Sequence, residues 1–342
     1  MIYFSYFYYD IIIEEVIKLP SITTHHIFSK NILNHLKQSE LELFKDELTI
    51  YHTFAQSHDY LFYYTFDIKN AKRIRNLGHR AHHENTQEYI INIVKEIINN
   101  NLENNKQAIA YLYGVITHYV LDSTCHPYIF YKTGIYRKSN PESKKYHGEH
   151  NHMEKDLDAI FYERFTNKKY NTCNLNKDII KKPKFSKELI NLISNVYKET
   201  YNEDNIGIFF KKSVTHTKII NALAINDYFG LKRALYKIID FITTHKFGYI
   251  QAYSTHILTP NLEYLNEDHK IWNHPSNKNL KYTYSFDDLY NQSIKKVLKI
   301  IRKTNEVIYN KKPIESLYKY IPNVDYSTGV LIEESRRMDY FE

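Results

Sequence analysis

The chain has 342 residues, and its 46 lysines and arginines outnumber its 39 aspartates and glutamates to give a formal net charge of +7. It has only 8 glycines and 8 prolines, too few turn-forming residues for an all-β protein. Its two cysteines, Cys125 and Cys173, exclude a disulfide-stabilised scaffold. The positive charge is spread along the chain and therefore indicates no particular class of anionic partner.

The first twenty residues form an N-terminal extension that starts with the apolar run MIYFSYFYYDIII, followed by Glu14 and Glu15. This run is too short to span a bilayer, and it has neither the basic residues nor the cleavage site of a secretory signal. We expect the extension to pack against the body of the protein, with a degenerate export or membrane-surface segment as the alternative. No other run has the length of a membrane span, so we expect a cytoplasmic protein without a transmembrane segment.

Apolar residues recur at helical spacing through most of the chain. The clearest stretches lie at 89–98, 108–119, 189–197, 231–242 and 289–301. Strand-like alternation is hard to find, so we predict an all-α protein of about ten helices. Polar segments at about 131–146, 166–187 and 260–284 are predicted to connect them.

The polar segment at 166–187 separates a histidine-rich half from a half with few candidate metal ligands. The later helices have no other obvious core on which to pack, so we predict a single all-α domain over residues 1–342. In this domain, residues 21–165 would form the metal-binding catalytic core and residues 185–320 would complete the helical bundle. We expect no C-terminal β-sandwich.

Two segments place histidine and carboxylate side chains at a spacing that suits a metal site. One contains His118, Asp122 and His126, and the other contains His150 and Glu154. Side chains four residues apart lie on the same face of a helix, and imidazole nitrogen and carboxylate oxygen are donors that zinc prefers. These donors outnumber those that one tetrahedral ion needs, so the pattern predicts a site for more than one ion, built from facing helices.

Three further candidate ligands, His25, Asp59 and His82, lie earlier in the chain. His25 and His82 each stand beside a second histidine, His26 or His83, and spacing alone leaves the choice within each pair open. Asp59 is either a ligand or the cap of a helix.

Pro127 disfavours helical geometry in the residue before it. We therefore expect the helix that carries His118 to end near Cys125, which would leave His126 free to turn toward a second ion. We expect His79, His147 and His152 to lie on the surface or to contact the metal ligands, without binding metal themselves. We expect structural roles for His216, His245, His256, His269 and His274.

Five segments occur in an order that is similar to a known family. They are Thr24–Lys30, His58–Tyr64, Leu77–His82, Ala110–Tyr128 and His150–Asp158. Together they resemble the zinc-dependent phospholipase C family, which includes bacterial phosphatidylcholine-hydrolysing phospholipases C and the clostridial alpha-toxin type. This family is related in fold to the P1-type nucleases. The resemblance covers roughly residues 20–165 strongly and 266–305 weakly.

The resemblance implies a multi-helix bundle of the phospholipase C/P1 nuclease type that holds a cluster of Zn²⁺ ions. One ion would be bound by Asp59, His82, His118 and Asp122, a second by His126, His150 and Glu154, and a third by His25 with Asp122 bridging. In the secreted members a processed N-terminal tryptophan also binds the third ion, whereas the only tryptophan here is Trp272. We therefore expect two zinc ions and leave the third open. The resemblance also places Asp59 beside the nucleophilic water, as the general base.

We predict a zinc-dependent phosphodiesterase that uses metal-activated water to hydrolyse the phosphate ester of glycerophospholipids. Its partner would be a phospholipid or another phosphodiester, with peripheral membrane contact as a further expectation. Two alternatives stay open: a nuclease or nucleotidase on the same fold, and a non-catalytic metal-binding interaction protein. An HD-type phosphohydrolase is less favoured, because it would use His25, His58, Asp59 and Asp122 and leave the remaining donors without a role.

Aromatic residues near the predicted ligands have two interpretations. They are Phe62, Tyr63, Tyr64, Tyr111, Tyr113 and Tyr128. They would either line a pocket for an alkyl or choline-like group or simply pack the bundle. We favour packing, because tyrosine is abundant throughout the chain.

Overall fold

The computed structural model describes residues 21–243 and 249–342. The N-terminal extension and His245 lie outside these residues. The described part contains twelve α-helices: α1 Thr23–Leu33, α2 Gln38–Glu42, α3 Leu48–Phe54, α4 Asp59–Phe62, α5 Ile68–His83, α6 Thr86–Asn99, α7 Lys106–Thr133, α8 Glu149–Thr166, α9 Lys187–Tyr201, α10 Ile206–Ile220, α11 Leu231–Ile242 and α12 Phe286–Ile308. This architecture confirms the predicted all-α class. One antiparallel hairpin, β1 Trp272–His274 with β2 Asn277–Tyr282, was not expected.

Helix α7 runs through the centre of the bundle and contacts α3, α6, α8 and α12. It begins at Lys106, where the side chain of Asn105 accepts hydrogen bonds from the backbone N–H groups of Gln107 and Ala108, and this cap satisfies two amides that have no partner within the helix. Gly114 lies at the crossing with α3, where an added Cβ would stand 2.6 Å from the Cβ of Phe54. The close approach of these two helices fixes the position of the ligand-bearing turns that follow.

The predicted end of this helix near Cys125 is wrong, because α7 continues through Pro127 to Thr133. Proline removes one backbone donor, which leaves the Ser123 carbonyl without its helical partner. The backbone of Gly329 packs against this carbonyl so closely that a Cβ there would lie 2.2 Å from the Ser123 oxygen. The apolar side chains after Pro127, including Tyr128, are buried, so burial outweighs the local preference to end the helix.

Buried apolar side chains from both halves of the chain join one contiguous core, from Ile22 to Tyr326. Helix α12 packs along α7 and contributes Leu289, Val297 and Ile301 to this core. The later helices thus use the same core as the histidine-rich half. In the described ranges, no helix is both long enough and apolar enough to cross a bilayer.

Candidate metal centre

The first group of donors joins three helices at one buried point. Asp59 is the first residue of α4, His82 lies in the last turn of α5, and His118 and Asp122 lie one turn apart on α7. One donor atom from each of the four lies within 4.8 Å of the others. The Nε2 atom of His82 is 3.1 Å from Asp59 Oδ1, and the Nε2 atom of His118 is 3.5 Å from Asp122 Oδ2.

The second group consists of His126 on α7 with His150 and Glu154 on α8, and its donor atoms also lie within 4.8 Å of one another. The Nε2 atoms of His150 and His126 are 3.2 and 3.5 Å from Glu154 Oε1. The other ring nitrogen of His126, Nδ1, is 3.9 Å from Asp122 Oδ2. His126 therefore lies between the two groups, and it is positioned by an unbroken helix rather than by a helix end.

His25 on α1 approaches the opposite side of the shared carboxylate. Its Nε2 atom is 3.1 Å from Asp122 Oδ1, and a small cavity of about 20 Å³ borders both residues together with His126 and Glu154. The adjacent His26 faces elsewhere, with its ring 4.7 Å from that of His52. The structure thus brings together all eight predicted ligands, with His25 in contact with Asp122.

Hydrogen bonds from outside the cluster orient two of its carboxylates. Gln56 Nε2 donates to Asp59 Oδ2 at 2.6 Å and also contacts the Ser21 carbonyl at 2.8 Å. The backbone N–H of Ser21 donates to Glu154 Oε2 at 3.2 Å. In each carboxylate, the oxygen that faces the histidines remains available as a ligand, which is the usual task of an outer hydrogen-bonding partner. Neither Gln56 nor Ser21 lies in a motif that would predict this role from the sequence.

His82 is oriented in the same way, because its Nδ1 atom donates to the Gly78 carbonyl at 2.7 Å and leaves Nε2 facing Asp59. The neighbouring His83 instead contacts Asp325 at 2.9 Å. The backbone N–H of Tyr326 donates to the His82 carbonyl at 3.0 Å, and its ring packs 5.2 Å from the His82 ring. A C-terminal segment that carried no recognised motif therefore supports the site.

In the cluster without metal, the charged groups shift one another's pKa. Burial disfavours the ionised form of Asp122, but the surrounding imidazoles outweigh it and hold the pKa of this carboxyl well below its usual range. Burial likewise opposes protonation of His25 and His126, yet the nearby carboxylates raise the pKa of each to about 9. Burial dominates at His118 and lowers its pKa to about 4. Metal binding at neutral pH would therefore displace protons from His25 and His126.

Several ring nitrogens at the centre of the cluster are buried without a hydrogen-bond partner among the described residues. They include both ring nitrogens of His118, Nδ1 of His25 and Nδ1 of His126. Buried polar atoms without partners are costly and rare in folded proteins. A metal ion held by one ring nitrogen of His118 and the adjacent carboxylates would give that nitrogen a partner, and one beside Asp122 and Glu154 would do the same for Nδ1 of His126. The donor set is the one that Zn²⁺ prefers. The residues present therefore fit zinc.

A cleft of about 100 Å³ borders both donor groups, and Phe62 and Phe130 contribute to its wall. His79 and His83 also line it, with their rings 4.4 Å apart. The tyrosines of the predicted aromatic set are buried in the bundle, as the packing interpretation requires: Tyr63, Tyr64, Tyr111, Tyr113 and Tyr128. Only Phe62 of that set reaches the cleft.

The geometry does not support an HD-type arrangement. His58 is fully buried, and its Nδ1 atom lies 2.7 Å from the hydroxyl of Tyr197. It belongs to neither of the two donor groups found in the described part of the chain. His152 and His274 are also outside these groups: His152 lies 3.7 Å from Glu149, and His274 contacts the Thr328 carbonyl at 2.8 Å.

Comparison with known proteins agrees with this geometry. No curated protein and no solved structure matches the chain. The family model described as zinc dependent phospholipase C matches residues 24–207, which are more than half of the chain and contain all eight predicted ligands. With this match, the all-helical fold and the two groups of candidate zinc ligands, the chain belongs to the zinc-dependent phospholipase C family.

Proposed function

We propose that this protein is a phospholipase C-type phosphodiesterase that hydrolyses the bond between glycerol and phosphate in glycerophospholipids. The observation that carries the proposal is the contact between the two donor groups through Asp122 and His126. Adjacent cation sites beside a cleft suit a phosphodiester, because positive charge is then available for both the attacking and the leaving oxygen.

Bound Zn²⁺ would supply positive charge to the phosphate oxygens and lower the pKa of a nearby water toward neutrality. The protein's own contribution is to fix the ligands and the base. Asp122 faces four imidazoles. The carboxylate of Glu154 keeps one oxygen on Ser21 and the other toward His126 and His150. These fixed contacts reduce the reorganisation that the site needs during the reaction.

Asp59 is the proposed general base. It is buried at the edge of the cleft, and Gln56 holds its Oδ2 atom. In the proposed reaction a water oxygen forms a bond to phosphorus as the bond from phosphorus to the glycerol oxygen breaks. Asp59 accepts the proton from the water, and the leaving glycerol oxygen takes a proton from solvent. The products are diacylglycerol and the phosphorylated head group.

The aromatic side chains in the wall of the cleft make nuclease activity a second candidate function. The Phe62 ring stacks on His82 at 5.5 Å, and the Phe130 ring lies 4.6 Å from His150. Aromatic faces of this kind bind a quaternary ammonium group through cation–π contact, and they also stack with nucleic acid bases. We favour the lipid substrate because the chain belongs to the phospholipase family.

A substrate comparison with the zinc-loaded full-length protein tests the proposal. We expect hydrolysis of bis-nitrophenyl phosphate and of detergent-dispersed phosphatidylcholine, with little cleavage of single-stranded DNA. Cleavage of DNA alone would support the nuclease alternative. Elemental analysis showing no bound metal, together with no hydrolysis of any substrate, would support a non-catalytic role.

The Asp59→Asn variant tests the proposed base. We expect it to retain much of its zinc, because the amide keeps one oxygen, and to lose roughly 100-fold or more in kcat, in the range typical of a lost general base. Asp156→Asn is a matched control, since Asp156 is also buried but contacts Asn261 outside both donor groups. Full turnover in Asp59→Asn would show that another group accepts the proton.

A further inference from the structure

Helix α11 presents its apolar side to solvent. The exposed residues recur at helical spacing and form one stripe, which we call the α11 apolar face: Leu231, Leu235, Ile238, Phe241 and Ile242. Their exposed fractions lie between 54% for Leu235 and 82% for Phe241. A helix on the surface of a globular protein ordinarily turns such a stripe toward the core, so this orientation is unusual.

Polar contacts hold the helix in this orientation. The buried carboxylate of Asp240 accepts hydrogen bonds from the backbone N–H groups of Ile250 and Gln251 at 2.9 and 3.1 Å. The ammonium group of Lys232 donates to the carbonyls of Ala222 and Asn226. Turning the apolar face inward would break these four hydrogen bonds, so they hold the face toward solvent.

The exposed apolar surface extends beyond the helix. Tyr228 and Phe229, directly before α11, are 58% and 79% exposed, and Leu223 is 71% exposed. Contiguous apolar patches on a protein surface commonly mark a site of interaction with another protein or with a membrane.

The charges of the chain segment that carries the face favour an anionic surface. Between residues 206 and 243, the charged side chains that are not buried are all positive: Lys211, Lys212, Lys218, Lys232, Arg233 and Lys237. The two acidic side chains of this segment, Asp227 and Asp240, are both buried. An amphipathic helix with a Leu/Ile/Phe face and basic neighbours is typical of binding to an anionic lipid surface.

Helix α11 is also joined to the cleft. Asn151 lines the cleft beside His150, and its side chain donates to the hydroxyl of Tyr253 at 3.0 Å. Tyr253 ends the short 3₁₀ turn Ile250–Tyr253, whose first two amides bind Asp240 of α11. Two hydrogen-bonded steps therefore connect the apolar face with the wall of the candidate catalytic site.

We propose that the α11 apolar face is the surface with which this protein rests on an anionic phospholipid membrane. Leu235, Ile238 and Phe241 would insert below the lipid head groups, while the exposed Lys237 on the same helix contacts the lipid phosphates. The use of this contact, delivery of a lipid to the cleft, rests on the proposed function; the binding itself does not depend on turnover.

Sedimentation of the full-length protein with vesicles tests this surface. We expect the wild type to bind vesicles of phosphatidylcholine with phosphatidylglycerol, and added NaCl to weaken the binding. Phe241→Glu and Leu235→Glu should each bind about tenfold or more weakly, because an inserted apolar side chain is lost and a negative charge is added. Ile68→Glu is the matched control, since Ile68 is 89% exposed on α5. Equal melting temperatures would show that the variants are folded.

Hydrolysis of the soluble ester bis-nitrophenyl phosphate separates this inference from the proposed function. The α11 variants should keep wild-type turnover of that ester while they lose vesicle binding. Vesicle binding that depends on α11 in a protein without any hydrolytic activity would support the surface and refute the enzyme. Absent or unchanged vesicle binding would overturn the proposed surface, as would size-exclusion chromatography showing a wild-type dimer that Phe241→Glu converts to a monomer.

Discussion

Raising the pH should destabilise the metal-free protein, because two buried imidazoles in the cluster lose their protons. The pKa of His25 and of His126 stands at about 9, since nearby carboxylates outweigh the effect of burial. In the unfolded chain a histidine has a pKa of about 6.5. A group with a raised pKa in the folded state stabilises the fold fully below pH 6.5 and loses this contribution as the pH rises through 9.

The expected loss follows from the size of the shift. A difference of about 2.5 pKa units corresponds to about 3 kcal/mol for one histidine. The raised pKa values of His25 and His126 depend on the same carboxylate, Asp122. Their contributions to the free energy of unfolding therefore add up to less than twice this value. We expect the free energy of unfolding of the metal-free protein to fall by about 3–5 kcal/mol between pH 6 and pH 9.5.

Urea unfolding of the metal-free protein, followed by circular dichroism at several pH values, measures this loss. The His126→Gln variant should show a pH-dependent loss smaller by about 2–3 kcal/mol, because one titrating group is gone. Replacement of His35, which is exposed and belongs to neither donor group, by Gln is the matched control. The zinc-loaded protein should gain stability over the same range, since zinc binds the deprotonated ligands. A metal-free wild type that is equally stable at pH 6 and pH 9.5 would refute this reasoning.

Three substitutions test the ligands and their supports. His150→Gln should remove about one zinc ion per chain by elemental analysis, whereas His152→Gln on the same helix should remove none; equal zinc content in both would exclude His150 as a ligand. Gln56→Leu should weaken zinc binding about 10- to 100-fold in a competition titration, because Asp59 loses its orienting bond; an unchanged affinity would mean that Asp59 needs no such partner. Gly114→Ala should lower the free energy of unfolding by about 1–3 kcal/mol, as its methyl group separates α7 from α3, and wild-type stability would contradict the close approach of these helices.

The ligands were predictable from sequence where one helix carries them. His118, Asp122 and His126 follow each other at intervals of four on α7, so helical geometry alone places them on one face. Residue spacing alone does not distinguish His25 from His26 as the ligand, and His25 was chosen from the family resemblance. The structure shows the two rings on different sides of α1.

Other parts of the structure depend on contacts between distant segments, which a local pattern does not show. Gln56 orients Asp59 only because the fold brings its amide to that carboxylate, and Tyr326 reaches His82 from the other end of the chain. Pro127 favoured a helix end near Cys125. The packing of Gly329 against α7, which lets the helix continue, is not visible in the sequence. The sequence pattern did not predict the hairpin, because residues 277–281 of β2 are all exposed and show no alternation.

Anomalous diffraction at the zinc edge from crystals of the zinc-loaded protein tests the central claim most directly. We predict one zinc peak in contact with His118 and Asp122, and a second in contact with His150 and Glu154. A third peak beside His25 would complete the cluster. Crystals with zinc bound only at surface residues, and none between α7 and α8, would contradict the assignment of this site.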